Sequence, residues 1–92
     1  MRFIYPAVIE EKEDGSFHAS FPDLTMCEAD GSSMMEVLRN AVSAAHDWID
    51  LELSEEDPVL PPATDKADLT LKENETVRDI LVIYRMHEGW AE

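Results

Sequence analysis

Apolar positions in this chain fall into two short strand-like runs, one long helical stripe and a final, nearly continuous apolar run. Residues 3–10 (Phe-Ile-Tyr-Pro-Ala-Val-Ile-Glu) are rich in β-branched and aromatic side chains, which predicts a strand. Pro6 cannot donate to a ladder, so this strand is expected at a sheet edge or with a bulge near its start. The charged tip Glu11–Gly15 ends in Asp-Gly, the signal of a tight hairpin turn. Beyond it Phe17, Ala19 and Phe21 alternate with Ser16, His18 and Ser20, as in a half-buried strand. Pro22-Asp23 ends that strand, and Leu24 to Ala29 predicts a short third strand before Asp30-Gly31.

Ser33 to Leu53 predicts a helix. Ser33-Met-Met-Glu36 has the form of a capping box: the serine hydroxyl accepts a first-turn amide, and Glu36 reaches back to the Ser33 amide. Met35, Leu38, Val42, Ala45 and Ile49 recur at spacings of three and four, with Met34, Ala41 and Trp48 beside them. Arg39, Asn40, Ser43, Asp47 and Asp50 fall on the other side. Roughly twenty residues make a rod of about 30 Å, enough to cross a small sheet. Its apolar stripe requires a flat partner, which the strands supply.

After Leu53, Ser54-Glu-Glu-Asp-Pro58 stops the helix, and Leu60-Pro61-Pro62-Ala63 must be extended. Asp68 to Lys72 alternates weakly, as a short strand or a helical turn. Asp79 to Met86 is the most strand-like run, apolar enough to predict a central or well-covered strand. Glu88, Gly89 and Trp90 form a short tail. The pattern predicts an antiparallel meander covered on one face by the helix, with a further strand after it.

Ninety-two residues predict a single domain, 1–92, with a thin core. No apolar run reaches the roughly 18 residues of a membrane span, and the N-terminus lacks a signal-peptide core, so a cytoplasmic address is expected. Cys27 is the lone cysteine, which excludes an intramolecular disulfide and a thiolate metal cluster. Charge alters the picture most. Twenty-one acidic residues against seven basic ones give a formal net charge of −14. Such a surface repels phosphate backbones and anionic lipids and attracts a basic protein, or it serves solubility alone.

Candidate chemistry is sparse. Asp23, Glu28 and Asp30 could meet as a metal site, although with 21 acids such proximity arises by chance. His18, His46 and His87 show no ligand spacing. Cys27 lies among apolar residues with acids nearby, which raises its pKa and blunts it as a nucleophile. Three scattered glycines build no phosphate loop. Six residues follow Met86, too few for a helix-turn-helix, so none is expected in this stretch. No catalytic residue, metal or cofactor is expected, and an enzyme is not. Trp90, an aromatic on a tail, is a candidate partner anchor.

Tyr5-Pro6-Ala7-Val8-Ile9, Asp14-Gly15-Ser16-Phe17, Phe21-Pro22-Asp23-Leu24 and Cys27 together resemble the opening of HicB-type antitoxins. Asp30-Gly31-Ser32-Ser33, Glu36, Leu38, Asn40, Ala41 and Leu60-Pro61-Pro62 continue the resemblance, which spans about residues 4–63. Met35 and Val37 depart from it, standing where the family usually has Glu and Ala.

The resemblance implies an α+β fold, a partial ribonuclease H-like β-β-β-α-β domain with a small antiparallel sheet and one long covering helix. It also implies a role: HicB proteins bind and inhibit HicA, a small basic toxin that cleaves mRNA, and many repress their own operon. Many carry a C-terminal DNA-binding domain; none is recognisable here, so direct nucleic-acid binding is not expected of this chain. The acidic metal cluster of ribonuclease H is not recognisable either. The matched residues mainly build turns and caps, and partner contacts are sought among acids on exposed loops and the polar helix face. Candidates are Glu11, Asp14, Asp47, Asp50 and Glu52, together with Trp90. Two further readings stay open: a solitary acidic interaction adaptor, and a relic Mg²⁺-dependent nuclease using Asp23 and Asp30. A homodimer is expected, because a short sheet with an exposed edge leaves strand groups to be paired.

Overall fold

The computed structural model describes residues 2–55 and 60–84. Strand β1 (Arg2–Glu11) is followed by β2 (Phe17–Ser20), β3 (Glu28–Gly31), helix α1 (Met34–Leu53), a 3-10 turn (Lys66–Asp68) and β4 (Glu75–Ile83). The strands form one antiparallel sheet in the order β3-β2-β1-β4, with α1 across one face. This is the α+β arrangement expected from the pattern. Of the 68–72 pattern only Asp68 falls in the 3-10 turn, and 69–72 form neither strand nor helix; the turn is capped by Asp65, whose carboxylate accepts the Ala67 amide at 3.0 Å. Trp90 and the tail, Met86, and the Pro58 helix stop lie outside the described residues.

The hairpin forms where Asp-Gly predicts it. The Gly15 amide donates to the Lys12 carbonyl (3.0 Å), and Gly15 then takes φ +88° so that the chain can return to β2. Asp14 accepts from the amide and hydroxyl of Ser16 at 2.9 and 2.6 Å. These bonds hold its carboxyl below the usual aspartate range.

Pro6 does not put β1 at an edge; β1 lies between β2 and β4. The reason is the direction of its nitrogen. The Glu11 amide donates to Asn74 beside β4, and the Lys12 amide to Ser16 beside β2. Amides alternate sides along a strand, so the nitrogen of Pro6 faces β2's side. There β2 pairs only with Val8 to Glu11, so no ladder bond is lost at Pro6.

The third strand also falls later than expected. Residues 21–27 close a compact turn, with Leu24 N donating to Phe21 O (3.3 Å), Cys27 N to Leu24 O (3.0 Å) and Phe21 N to Cys27 O (3.1 Å). Met26 takes φ +62° at its tip. Leu24 and Cys27 point into the core, and the Trp48 indole ties the turn to α1 by donating to Thr25 O at 2.9 Å. Pairing with β2 therefore resumes only at Glu28.

Ser33 caps α1, its hydroxyl accepting the Glu36 amide at 3.1 Å. Glu36 reaches back one residue further than the capping box implies, to the amide and hydroxyl of Ser32. These bonds, the amide foremost, lower its carboxyl pKa.

The buried helix positions are Val37, Ala41, Ala45 and Ile49, each fully covered. The stripe drawn through Met35 and Val42 is thus misphased: Met35 is 72% exposed and Val42 39%. At about 100° per residue, Met35 lies about 200° around the helix from Val37. Ala41 and Ala45 share this core with Ala7 and Ala19 of the sheet, which are also fully buried. Ile9, Phe21, Leu24, Ile80 and Val82 fill the flanks. Burying each large aliphatic side chain is worth about 1.5–3 kcal/mol.

A strap after the helix closes one end. Leu60 packs against the core, the Tyr5 hydroxyl donates to Pro61 O at 2.6 Å, and Asp23 accepts from the amide (2.8 Å) and hydroxyl of Thr64.

The helix approaches β3 so closely that Gly31 has no room for a side chain. A Cβ there would stand 2.7 Å from the Val37 Cα, with the Val37 amide nearer still. Gly31→Ala is expected to cost about 1–3 kcal/mol in urea denaturation, since backbone must shift. A wild-type midpoint in that variant would mean the helix is not seated as described.

The cap makes stability pH-dependent with a definite sign. The Glu36 pKa is lowered in the fold, so its stabilisation is full above the unfolded value of about 4.3 and is lost as pH falls through the folded value. The stability difference between wild type and Glu36→Gln is expected to shrink on titration below about pH 4. A difference that stays constant from neutral pH downwards would show that the ionised carboxylate is not what holds the Ser32 groups.

Candidate functional site

Because α1 covers one face, chemistry and contacts must lie on the other face, at the strand edges, or on the helix's outer side. β3 offers a short edge of four residues, and its outward acids Glu28 and Asp30 surround His18. His18 Nδ1 lies 2.7 Å from Asp30 and Nε2 3.5 Å from Glu28, with Lys12 at 4.0 Å from Asp30. The His18 hydrogen bond, aided by nearby charge from His18 and Lys12, holds the Asp30 carboxyl below the usual range. This cluster ties the hairpin to β3 on an exposed surface.

β4 offers the longer edge. Its register with β1 runs unbroken from Glu10↔Glu75 to Arg2↔Ile83, without bulge or proline. On its core side Ile80 and Val82 are buried, yet on the outer face Leu81 and Ile83 remain 43% and 56% exposed, beside Ile4 at 55%. Ile4 and Leu81 are direct cross-strand partners. The final apolar run is therefore neither central nor covered on both sides; it begins at Glu75 and forms the outer strand. Its continuous apolarity reflects a core on one side and an open apolar surface on the other. Two-sided apolarity in a strand carries both meanings, and the bare sequence gives no way to choose.

Of the acids singled out from the sequence, Glu11 and Asp50 sit at the two ends of this strand. Glu11 lies at the end of β1, its amide bonded to Asn74 O at 3.0 Å and its carbonyl to Asn74 Nδ2 at 3.1 Å, next to the start of β4. Asp50 accepts the Tyr84 hydroxyl at 2.8 Å, just past the end of β4. Asp47 is exposed one turn earlier on α1, and Glu52 is half-buried near its end. Asp14 and Asp50 have structural work in the hairpin and in the helix-to-strand tie. Trp90 lies outside the described residues.

The nuclease reading gains nothing from the geometry. Asp23 anchors the strap through Thr64 and Asp30 pairs with His18, so the two carboxylates serve separate contacts. Among the described residues no group of three or more His, Cys, Asp or Glu could hold a metal ion. Burial, with the charges of Asp47 and Glu28 adding to it, pushes the Cys27 thiol up to about 11, which keeps it protonated and unreactive at neutral pH. An open groove of about 490 Å³ runs between the sheet's outer face and residues 70–75. Its lining, which includes Val8, Phe21, Pro22 and Leu71 with Lys72 and Glu75, assembles no nucleophile and base. No helix among the described residues is long and apolar enough to cross a membrane.

What this arrangement can do is bind. Comparison with known proteins points the same way. The chain superposes on the N-terminal domain of the antitoxin HicB of Burkholderia pseudomallei with a TM-score of 0.74 at 13% identity, covering 91% of this chain and all of that one. A toxin–antitoxin complex from Streptococcus pneumoniae contains a chain matched at TM-score 0.68 and 22% identity, with 90% and 70% of the two chains covered. A chain of a HicA3 and HicB3 toxin–antitoxin complex matches at TM-score 0.65 and 28% identity over 88% of this chain and 96% of that one. At the lower identities these matches establish the fold alone. A search of curated protein sequences returns no match. The family described as HicB_like antitoxin of bacterial toxin–antitoxin system matches residues 5–86, nearly the whole chain, and the protein belongs to that family.

Proposed function

We propose that this protein is an antitoxin that binds a small basic toxin of the HicA type and inhibits it by covering its RNA-cleaving face. Family membership over residues 5–86 carries the reading. Two further observations support it. A net charge of −14 suits a partner that itself binds RNA, because both present a dense array of negative charge to the same basic surface. The structural neighbour at 28% identity comes from a complex named for both a HicA and a HicB protein. In this reading the protein acts by occupancy and performs no chemistry of its own.

The candidate contacts divide by what the fold already asks of them. Glu11 and Asp47 are the acids we assign first to the toxin, with Glu52 and Trp90 tested beside them. Asp14 and Asp50 are assigned mainly to the fold, through Ser16 and Tyr84. An acidic adaptor without a toxin is the second reading, and it shares every one of these surfaces.

Co-expression with the product of whatever small basic reading frame adjoins the gene, read by pull-down and by growth, separates the two, and the lack of such a frame favours the adaptor. A stable complex that restores growth is the expected result. Raising ionic strength from about 0.01 to about 1 M shortens the Debye length from about 30 to about 3 Å. Association should then slow by about tenfold or more. Changing Glu11 and Asp47 together to their amides should slow association several-fold while leaving the urea midpoint near that of the wild type. A neighbouring product that neither binds nor harms cells would sink the antitoxin reading and leave the adaptor.

A further inference from the structure

Among the described residues no strand pairs with the outer edge of β4, a feature that neither the fold nor the acidic surface accounts for. Ladder parity identifies its free groups. Glu11 and Asn74 form a hydrogen-bonded position, so in the same register Thr76, Arg78, Ile80 and Val82 turn their amides toward β1. The amides and carbonyls of Val77, Asp79, Leu81 and Ile83 therefore point away from the sheet. Natural edges are usually blunted by proline, a bulge, short length or inward charge. β4 runs nine residues with none of the first three, and its outer face carries exposed Leu81 and Ile83 beside Ile4.

We propose that this edge takes up a β-strand from a basic partner, extending the sheet and laying alternate apolar side chains over Ile4, Leu81 and Ile83. The proposal rests on the reading of the chain as a binder of basic protein and names where that protein docks. Main-chain bonds along the edge supply affinity, and the outer face supplies selectivity. Charge chooses the occupant. Glu10 and Glu75 are direct cross-strand partners, a like-charge pair that a cation from an added strand relieves. Asp79 lies further along the same face and is offset by Lys66 at 3.1 Å. Glu11 and Asp50 flank the two ends of the strand. A second copy brings another −14 to the same place, whereas a strand with lysines at its start meets Glu10, Glu11 and Glu75; Arg78 and the Lys66-paired Asp79 follow, and Arg2 lies opposite Ile83 at the far end.

Amide hydrogen exchange measured by NMR on the whole protein tests this without knowledge of the natural partner. The probe is a peptide of about ten residues alternating lysine and valine, and the control alternates glutamate and valine. Saturating lysine peptide should slow exchange at Val77, Asp79, Leu81 and Ile83 at least about tenfold, leaving Thr76, Arg78, Ile80 and Val82 unchanged. Leu81→Pro removes one outward N–H and no bond to β1, and should abolish the slowing. If that variant opens the β1 ladder, Ile83→Pro at the strand end takes its place.

Equal slowing by both peptides, slowing confined to another element, or no slowing overturns the proposal. So does protection of the outward amides in the free protein that grows with its concentration, which would assign the edge to a second copy. Failure of the toxin to bind in co-expression, with the peptide result intact, would count against the antitoxin reading and leave the edge as a strand-binding site for another basic partner.

Discussion

The depth to which α1 sinks onto the sheet governs everything else in this molecule. Val37 meets the backbone of β3 at Gly31, and Ala41 and Ala45 of α1 share one fully buried core with Ala7 and Ala19 of the sheet. The missing side chain at Gly31 brings backbone close to backbone there, and the small alanines fill the core with little apolar volume. A chain of this size has few large residues to place in a core, so a shallow centre ringed by Ile9, Phe21, Leu24, Ile49 and Val82 is an economical solution. It also leaves a consequence. With one helix and a strap of a few residues for cover, the remaining apolar positions of β1 and β4 stay at the surface.

That packing explains where sequence patterning succeeded and where it slipped. Local chemistry was legible: the Ser33 cap, the Gly15 hairpin and the Pro22 strand end each act within a few residues, and the structure realises all three. The helix phase was not. Met35 and Val42 weigh more than Ala41 on any scale of hydrophobicity, yet the alanine position is the buried one because only a small side chain fits where the layers touch. Pattern reading ranks side chains by their own apolarity, while the sheet selects them by the space it leaves.

The two strand misplacements share a cause. Pro6 marks an edge only on the side its nitrogen faces, and among the described residues that side of β1 has no strand pairing before Val8, while β4 pairs along the other. Conversely, the apolar run in β4 marks burial only if something exists to cover both sides. Edge and centre are properties of each side of a strand at each residue, and they depend on where distant partners start and stop. The acids near β4 were legible as exposed charge, but the grouping of Glu11 with Asn74 and of Asp50 with Tyr84 arises from pairings across 63 and 34 residues. No local signal reports such distances.

Charge and edge then work on one another. A long unpaired strand with apolar neighbours is a template for pairing with whatever extended chain arrives first, including its own copies. Fourteen net negative charges raise the cost of bringing two copies together at low salt and lower it for a cationic chain. The same surface that would be a hazard on a neutral protein thereby acquires a preference for one kind of partner. Within the antitoxin reading this divides the labour: diffuse acidity selects and steers, and the β4 edge with Ile4, Leu81 and Ile83 holds. Steering weakens with salt, whereas strand pairing and apolar contact persist, so the two contributions separate cleanly into association and dissociation rates.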